Sequence, residues 1–121
     1  MKITIEKRIE MERKIVRHLI REAKQAGWIV MAVDDGGDEP EKVFNETETM
    51  DAVFAVDEAQ VYFQKTPKDG KRRTRSALIV LGNYGWDCIA DHSAPDNEVS
   101  FGWNEMMDRV SEYADKLGES L

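Results

Sequence analysis

AQVYFQKTPKDGKRRTRSALIVL, residues 59–81, is the stretch on which the fold turns. Its two ends, Ala59-Gln60-Val61-Tyr62-Phe63-Gln64 and Ala77-Leu78-Ile79-Val80-Leu81, have the β-branched and aromatic content of strands. Between them Asp69-Gly70 is the signature of a two-residue hairpin turn. That turn sets Lys68 opposite Lys71 and Phe63 opposite Ser76. The tip is then a long basic arm carrying Lys65, Lys68, Lys71, Arg72, Arg73 and Arg75, with Tyr62 and Phe63 at its base. Such a cluster attracts phosphate backbones, and a two-stranded ribbon fits a major groove. Lys and Arg at a hairpin tip also block edge-to-edge aggregation, which sheet proteins need in any case.

Downstream, Gly82-Asn83-Tyr84-Gly85 is a compact turn into a third strand, Trp86 to His92. Ser93 to Asn97 reads as loop. A helix from Gly102 to Leu117 follows, with Trp103, Met106, Met107, Val110, Tyr113, Ala114 and Leu117 on one face and a stop at Gly118. The Trp103, Met107, Tyr113 side could extend past the sheet and pair with its copy, so monomer and homodimer both stand. Upstream, Asn45 with Glu48 three residues later opens a helix through about Glu58, and Met50, Val53 and Phe54 share one side of it. Glu41 to Phe44 is a short edge strand. Asp34 to Pro40 breaks the chain, and Trp28 to Val33 is a continuous apolar run expected to be a strand buried on both faces.

The first helix spans residues 5–26 and ends at Gly27. Ile15, Val16, Leu19, Ile20, Ala23 and Ala26 line one face, while Lys14, Arg17, Arg21 and Lys24 fall within about 80° on the other. Arg8 and Glu12 interrupt the apolar stripe upstream, so either Lys2-Ile3-Thr4-Ile5 is a short strand before a later helix start or, the favoured reading, residues 1–12 protrude, leaving Met11, Arg17 and Arg21 for a partner. Consecutive strands with short turns imply an α+β domain: an antiparallel β-meander of four to five strands with helices packed on one face, in two layers. The expected core is Ile15, Leu19, Ile20, Ile29, Val53, Phe54, Val61, Phe63, Leu78, Val80, Ile89, Met106, Val110 and Leu117.

At 121 residues the chain is one domain, 1–121, and 41% hydrophobic residues suffice for one core. It has no apolar run of bilayer length and no apolar signal-peptide centre, so no membrane is expected. A single cysteine, Cys88, excludes an internal disulfide and suits a reducing cytoplasm. Mid-strand, Cys88 reads as a small buried hydrophobe, and Met106-Met107 as core in preference to an adaptable contact surface. The net charge of −7 is sorted into blocks: +4 over residues 1–33, −9 over 34–58, +5 over 59–75 and −7 over 76–121. Distinct basic and acidic patches can steer partners of opposite sign.

Little in the sequence suggests chemistry, and no enzyme, metal or cofactor is expected. Asp87, Asp91, His92 and Asp96 form the densest polar cluster, and a metal-dependent hydrolase using Asp87, Asp91 and His92 is the remote alternative. Strand alternation sends Asp87 and Asp91 to one face and His92 to the other, so a metal would require bending at the strand end. Asp34-Asp35-Gly36-Gly37-Asp38 lacks the alternating ligands of a calcium loop.

The strand with Tyr62-Phe63, the strand ending Leu81-Gly82-Asn83, and Gly85-Trp86-Asp87-Cys88-Ile89-Ala90-Asp91-His92-Ser93 resemble small uncharacterised proteins encoded by phages, prophages and plasmids. The resemblance covers residues 61–93 and brings no activity with it. It implies origin on a mobile element, where small acidic proteins bind and modulate host or defence proteins. The expected function is therefore a non-enzymatic interaction module, contacting another protein through Lys14, Arg17, Arg21, Lys24, Glu46, Glu48 and Asp51. The alternative is a nucleic-acid-binding accessory protein that uses the basic hairpin.

Overall fold

Thr4 starts the first helix, α1 (Ile5–Gln25), its hydroxyl accepting from the Lys7 N–H at 3.1 Å. The computed structural model describes residues 4–68, 70–82, 88–92 and 101–119. Helix α1 ends in a Schellman arrangement: the Gly27 N–H reaches the Lys24 carbonyl at 3.1 Å and the Trp28 N–H the Ala23 carbonyl at 2.8 Å. Gly27 supplies the left-handed turn at φ +88°. The remaining elements are β1 (Ile29–Asp34), β2 (Glu41–Lys42), α2 (Glu46–Val53), β3 (Glu58–Lys65), β4 (Arg73–Val80), β5 (Ile89–His92) and α3 (Trp103–Glu119).

The sheet order is β2-β1-β3-β4-β5 and every pairing is antiparallel, so the domain is α+β with a five-stranded open sheet. Val33, Val61, Phe63, Ala77 and Ile79 form its covered face, and α1 and α3 supply Ile15, Leu19, Met106 and Val110 against it. Trp103 fills the centre, with ring centroids 5.3 Å from both Trp28 and Phe63. Both Met106 and Met107 are core, as is Cys88. Helix α3 is held to α1 by stacking of Tyr113 on His18, centroids 4.0 Å apart, and by Arg109 Nε donating to Glu22 at 2.8 Å.

Several expectations are corrected. Of the segment 1–12 expected to protrude, residues 1–3 lie outside the described residues and 4–10 are exposed or half-exposed, but Met11 and Glu12 are buried. Glu12 is not an interruption of the stripe: its carboxylate accepts from the Gly82 N–H at 2.9 Å and pairs with Arg8 at 3.5 Å. A buried carboxylate with both a cation and an amide donor is tolerable where an unpartnered one is not. Strand β1 is not buried on both faces, since Ile29 and Met31 are exposed and only Val33 is fully covered. Helix α2 stops at Val53, five residues before Glu58, where β3 already begins. Helix α3 passes through Gly118 to Glu119.

The hairpin register is shifted by one. Phe63 faces Arg75, not Ser76, and Lys65 faces Arg73 as the last pair before the turn. Pairing therefore ends short of Asp69, which lies outside the described residues, and among the described residues no paired strand continues beyond Lys65 and Arg73. One residue of slip exchanges the two faces of a strand. Ala77 and Ile79 accordingly join the core in place of the expected Leu78 and Val80, and Arg75 turns inward beside them.

Candidate functional site

The basic residues of the hairpin divide into two groups. Lys65 Nζ donates to the Ala26 carbonyl at 2.7 Å and to the Phe101 carbonyl at 2.8 Å. Trp28 Nε1 donates to the same Phe101 oxygen at 3.1 Å. Phe101 adopts φ +51°, a left-handed backbone disfavoured for a bulky side chain, and two donors on one carbonyl help to hold it there. Arg75, only 4% exposed, lies over the Trp28 ring at 5.4 Å, and Arg73 over the Phe101 ring at 5.1 Å. Lys65, Arg73 and Arg75 thus join the end of α1 to the start of α3. Lys68, Lys71 and Arg72 are on the exposed connection between β3 and β4.

The residues expected to contact a protein divide as well. Arg21 Nε donates to Glu46 at 2.9 Å, and Arg17 lies 3.9 Å from the same carboxylate, so part of the basic face of α1 is neutralised by the acidic start of α2. Lys14 pairs with Glu10 at 3.2 Å along its own helix. Glu48 is half of the Asn45 capping box: its N–H reaches Asn45 Oδ1 at 2.8 Å and its carboxylate accepts from Asn45 Nδ2 at 2.9 Å. Asp51 is exposed on α2 and Lys24 on the last turn of α1. Met11 is buried and cannot meet a partner, and the Trp103, Met107 side of α3 is likewise inside the fold.

Where α1, β1 and α2 converge, they enclose a cleft of ≈ 500 Å³. It is lined by the buried Ile20, Trp28 and Thr49, the half-buried Val30 and Glu46, and the exposed Arg21 and Lys24. Phe44, 83% exposed, and Ile29, 54% exposed, flank it. Two exposed apolar side chains beside a concavity make this the candidate contact site. Sequence reasoning missed Phe44, although a signal existed. Phe44 precedes the N-cap Asn45, the position whose side chain usually packs on the fourth residue of the helix. Here that residue is Thr49, whose hydroxyl donates to the Asn45 carbonyl at 2.8 Å, so Phe44 has no apolar staple to make.

Of the candidate metal ligands, Asp87 and Asp96 lie outside the described residues. Asp91 pairs across from Leu78 and His92 from Ala77, which places them on opposite faces of β5. Among the described residues no three His, Cys, Asp or Glu side chains converge as a ligand set. No helix among them is long and apolar enough to cross a membrane. Comparison with protein-family models, curated proteins and solved structures returned no match.

Proposed function

We propose that the protein is a non-enzymatic interaction module that binds another protein chain through the cleft between α1, β1 and α2. The observation that carries this reading is the exposure of Phe44 and Ile29, two large apolar side chains that line the same cleft. Burying such residues against a partner is the main driving force of association, and the charged rim supplies orientation. Its sequence resemblance supports a mobile-element origin and, with it, a role in modulating a host or defence protein.

A photo-crosslinking amino acid at position 44, with a second at position 5 as control, tests the reading in lysate of the source cells. A protein adduct is expected at position 44 and not at position 5, and Phe44→Asp abolishes the corresponding co-purification. No adduct at position 44, together with phosphate-ester hydrolysis in a metal-supplemented screen, would overturn it in favour of Asp87, Asp91 and His92. The nucleic-acid reading now leans on Lys68, Lys71 and Arg72 alone. Three phosphate contacts limit the slope of log affinity against log salt to about 2.7, shallow enough to recognise in a titrated gel shift.

A further inference from the structure

The helices cover one face of the sheet, and on the other face every described strand residue is half-buried or exposed. Strand register puts Lys42, Ala32, Tyr62 and Ser76 in one row across that open face. Tyr62 thus has a methyl group on one side and a hydroxymethyl on the other, and neither walls in its ring. Apart from Phe44, it is the only aromatic ring among the described residues on which no other ring or cation lies. In the next row towards the hairpin connection, Gln64 and Thr74 sit side by side, and their side chains have no hydrogen-bond partner among the described residues. Beyond them the exposed Lys68 and Arg72 occupy the connection itself. Neither they nor Lys42 pair with a carboxylate among the described residues. The far end of the face has the opposite sign: Asp34, Gln60, Leu78 and Asp91 form a row, and Glu58 stands beyond it.

A ring with a free face, unengaged amide and hydroxyl groups beside it, and unpaired cations at one end match the three parts of a single strand. The ring stacks a base, the polar side chains meet base edges, and the cations meet phosphates. We propose that the hairpin end of the open sheet face binds single-stranded nucleic acid, with Tyr62 as the stacking platform and Lys42, Lys68 and Arg72 as phosphate contacts. Charge complementarity favours this occupant, because residues 59–75 carry +5 in a chain of net charge −7. The carboxylates of Asp34, Asp91 and Glu58 repel phosphates and confine the strand to the basic end. A duplex is the poorer ligand, since its bases are stacked on one another and offer Tyr62 no free face. A second sheet or an apolar helix is poorer too, because Gln60, Gln64, Thr74 and Ser76 would lose water to it without gaining partners.

Fluorescence anisotropy of labelled decathymidylate with the purified full chain at low salt tests this. The wild type is expected to bind saturably at micromolar concentration. Tyr62→Ala should weaken binding by about tenfold or more, while Tyr62→Phe keeps the ring and the affinity. A decamer of abasic sites, equal in charge but without bases, should bind the wild type more weakly by a similar factor. Lys68→Glu/Arg72→Glu removes two phosphate contacts and should lower the slope of log affinity against log salt by roughly 1.4. On the wild-type chain, ultraviolet crosslinking of the same decamer with 5-iodouracil in place of thymine is expected to leave its adduct on Tyr62, which needs no variant to fold. Absence of binding at tens of micromolar protein, equal affinity for the abasic decamer, or an adduct only on other residues overturns the proposal. A duplex that binds more tightly than the single strand overturns it in favour of the hairpin cations alone. Failure here leaves the position-44 adduct, and the protein-binding reading that rests on it, untouched.

Discussion

Cations in the hairpin and cations on α1 are the same residue types put to opposite uses. At the root of the hairpin, Lys65 and Arg75 are drawn inward, onto backbone carbonyls and the face of Trp28. On α1, Arg17 and Arg21 remain at the surface and meet the carboxylate of Glu46. The first group replaces water with carbonyl oxygens and aromatic rings, and it ties together segments distant in the chain. The second is a screened ion pair that orients one helix relative to another. A run of Lys and Arg in a sequence therefore fixes the sign of a region and leaves its destination open.

The largest test of that contrast lies at its aromatic centre. Trp28→Ala removes the ring that both inward cations face and that Trp103 meets edge-on, and should cost about 3–5 kcal/mol in urea unfolding. Next, Lys65→Met keeps the stem but leaves the Ala26 and Phe101 carbonyls without their charged donor; a loss of about 1.5–3 kcal/mol is expected in the same measurement. An unchanged midpoint would mean that the inward group is as dispensable as the outer one. A double-mutant cycle of Arg21→Ala and Glu46→Ala is expected to give a coupling of only about 0.2–1 kcal/mol, falling with added salt. A coupling insensitive to salt would erase the distinction between the two regions.

The smallest effect is at Glu10. Lys14, chiefly by a side-chain hydrogen bond, and then Lys7 hold its carboxyl below the usual carboxylate range. A depressed folded pKa means that the contribution is present above the unfolded value and is lost as pH falls through the folded one. Glu10→Gln should remove that slight acid-side dependence and leave the neutral-pH midpoint almost unmoved, because the group is solvent-exposed and its ion pairs are screened. Thermal melts between neutral and acid pH measure it.

Much of the architecture was legible in the order of the segments. The 3–4 spacing of Ile15, Val16, Leu19, Ile20 and Ala23 defines the buried face of α1, and Asn45 with Glu48 marks the start of α2. Glycine 27 marks the end of α1 for a reason local to three residues, its positive φ. The continuous run Ala77-Leu78-Ile79-Val80-Leu81 was different, because every position is apolar and either alternation satisfies it. Register depends on how β3 and β4 meet, and that meeting put Arg75 on the covered face. Glu12 was illegible for a related reason: its partner, the Gly82 N–H, is 70 residues away.

The candidate site was less legible than the fold. Lys14, Arg17, Arg21 and Lys24 share one side of α1 by their spacing, and Glu46, Glu48 and Asp51 all belong to α2. Their being neighbours, with Glu46 against Arg21, is a fact of helix packing and not of either segment. By itself, the sequence determined what local chemistry can determine: helix faces, caps, the left-handed turn at Gly27, the sign of each charged block and the antiparallel succession of strands. Only the tertiary structure decided which cations turn inward, which face of β4 is covered, and that Phe44 borders a cleft. Those outcomes depend on contacts between residues far apart in the chain, whose free energies are collected only when α1, the sheet and α3 close on one another.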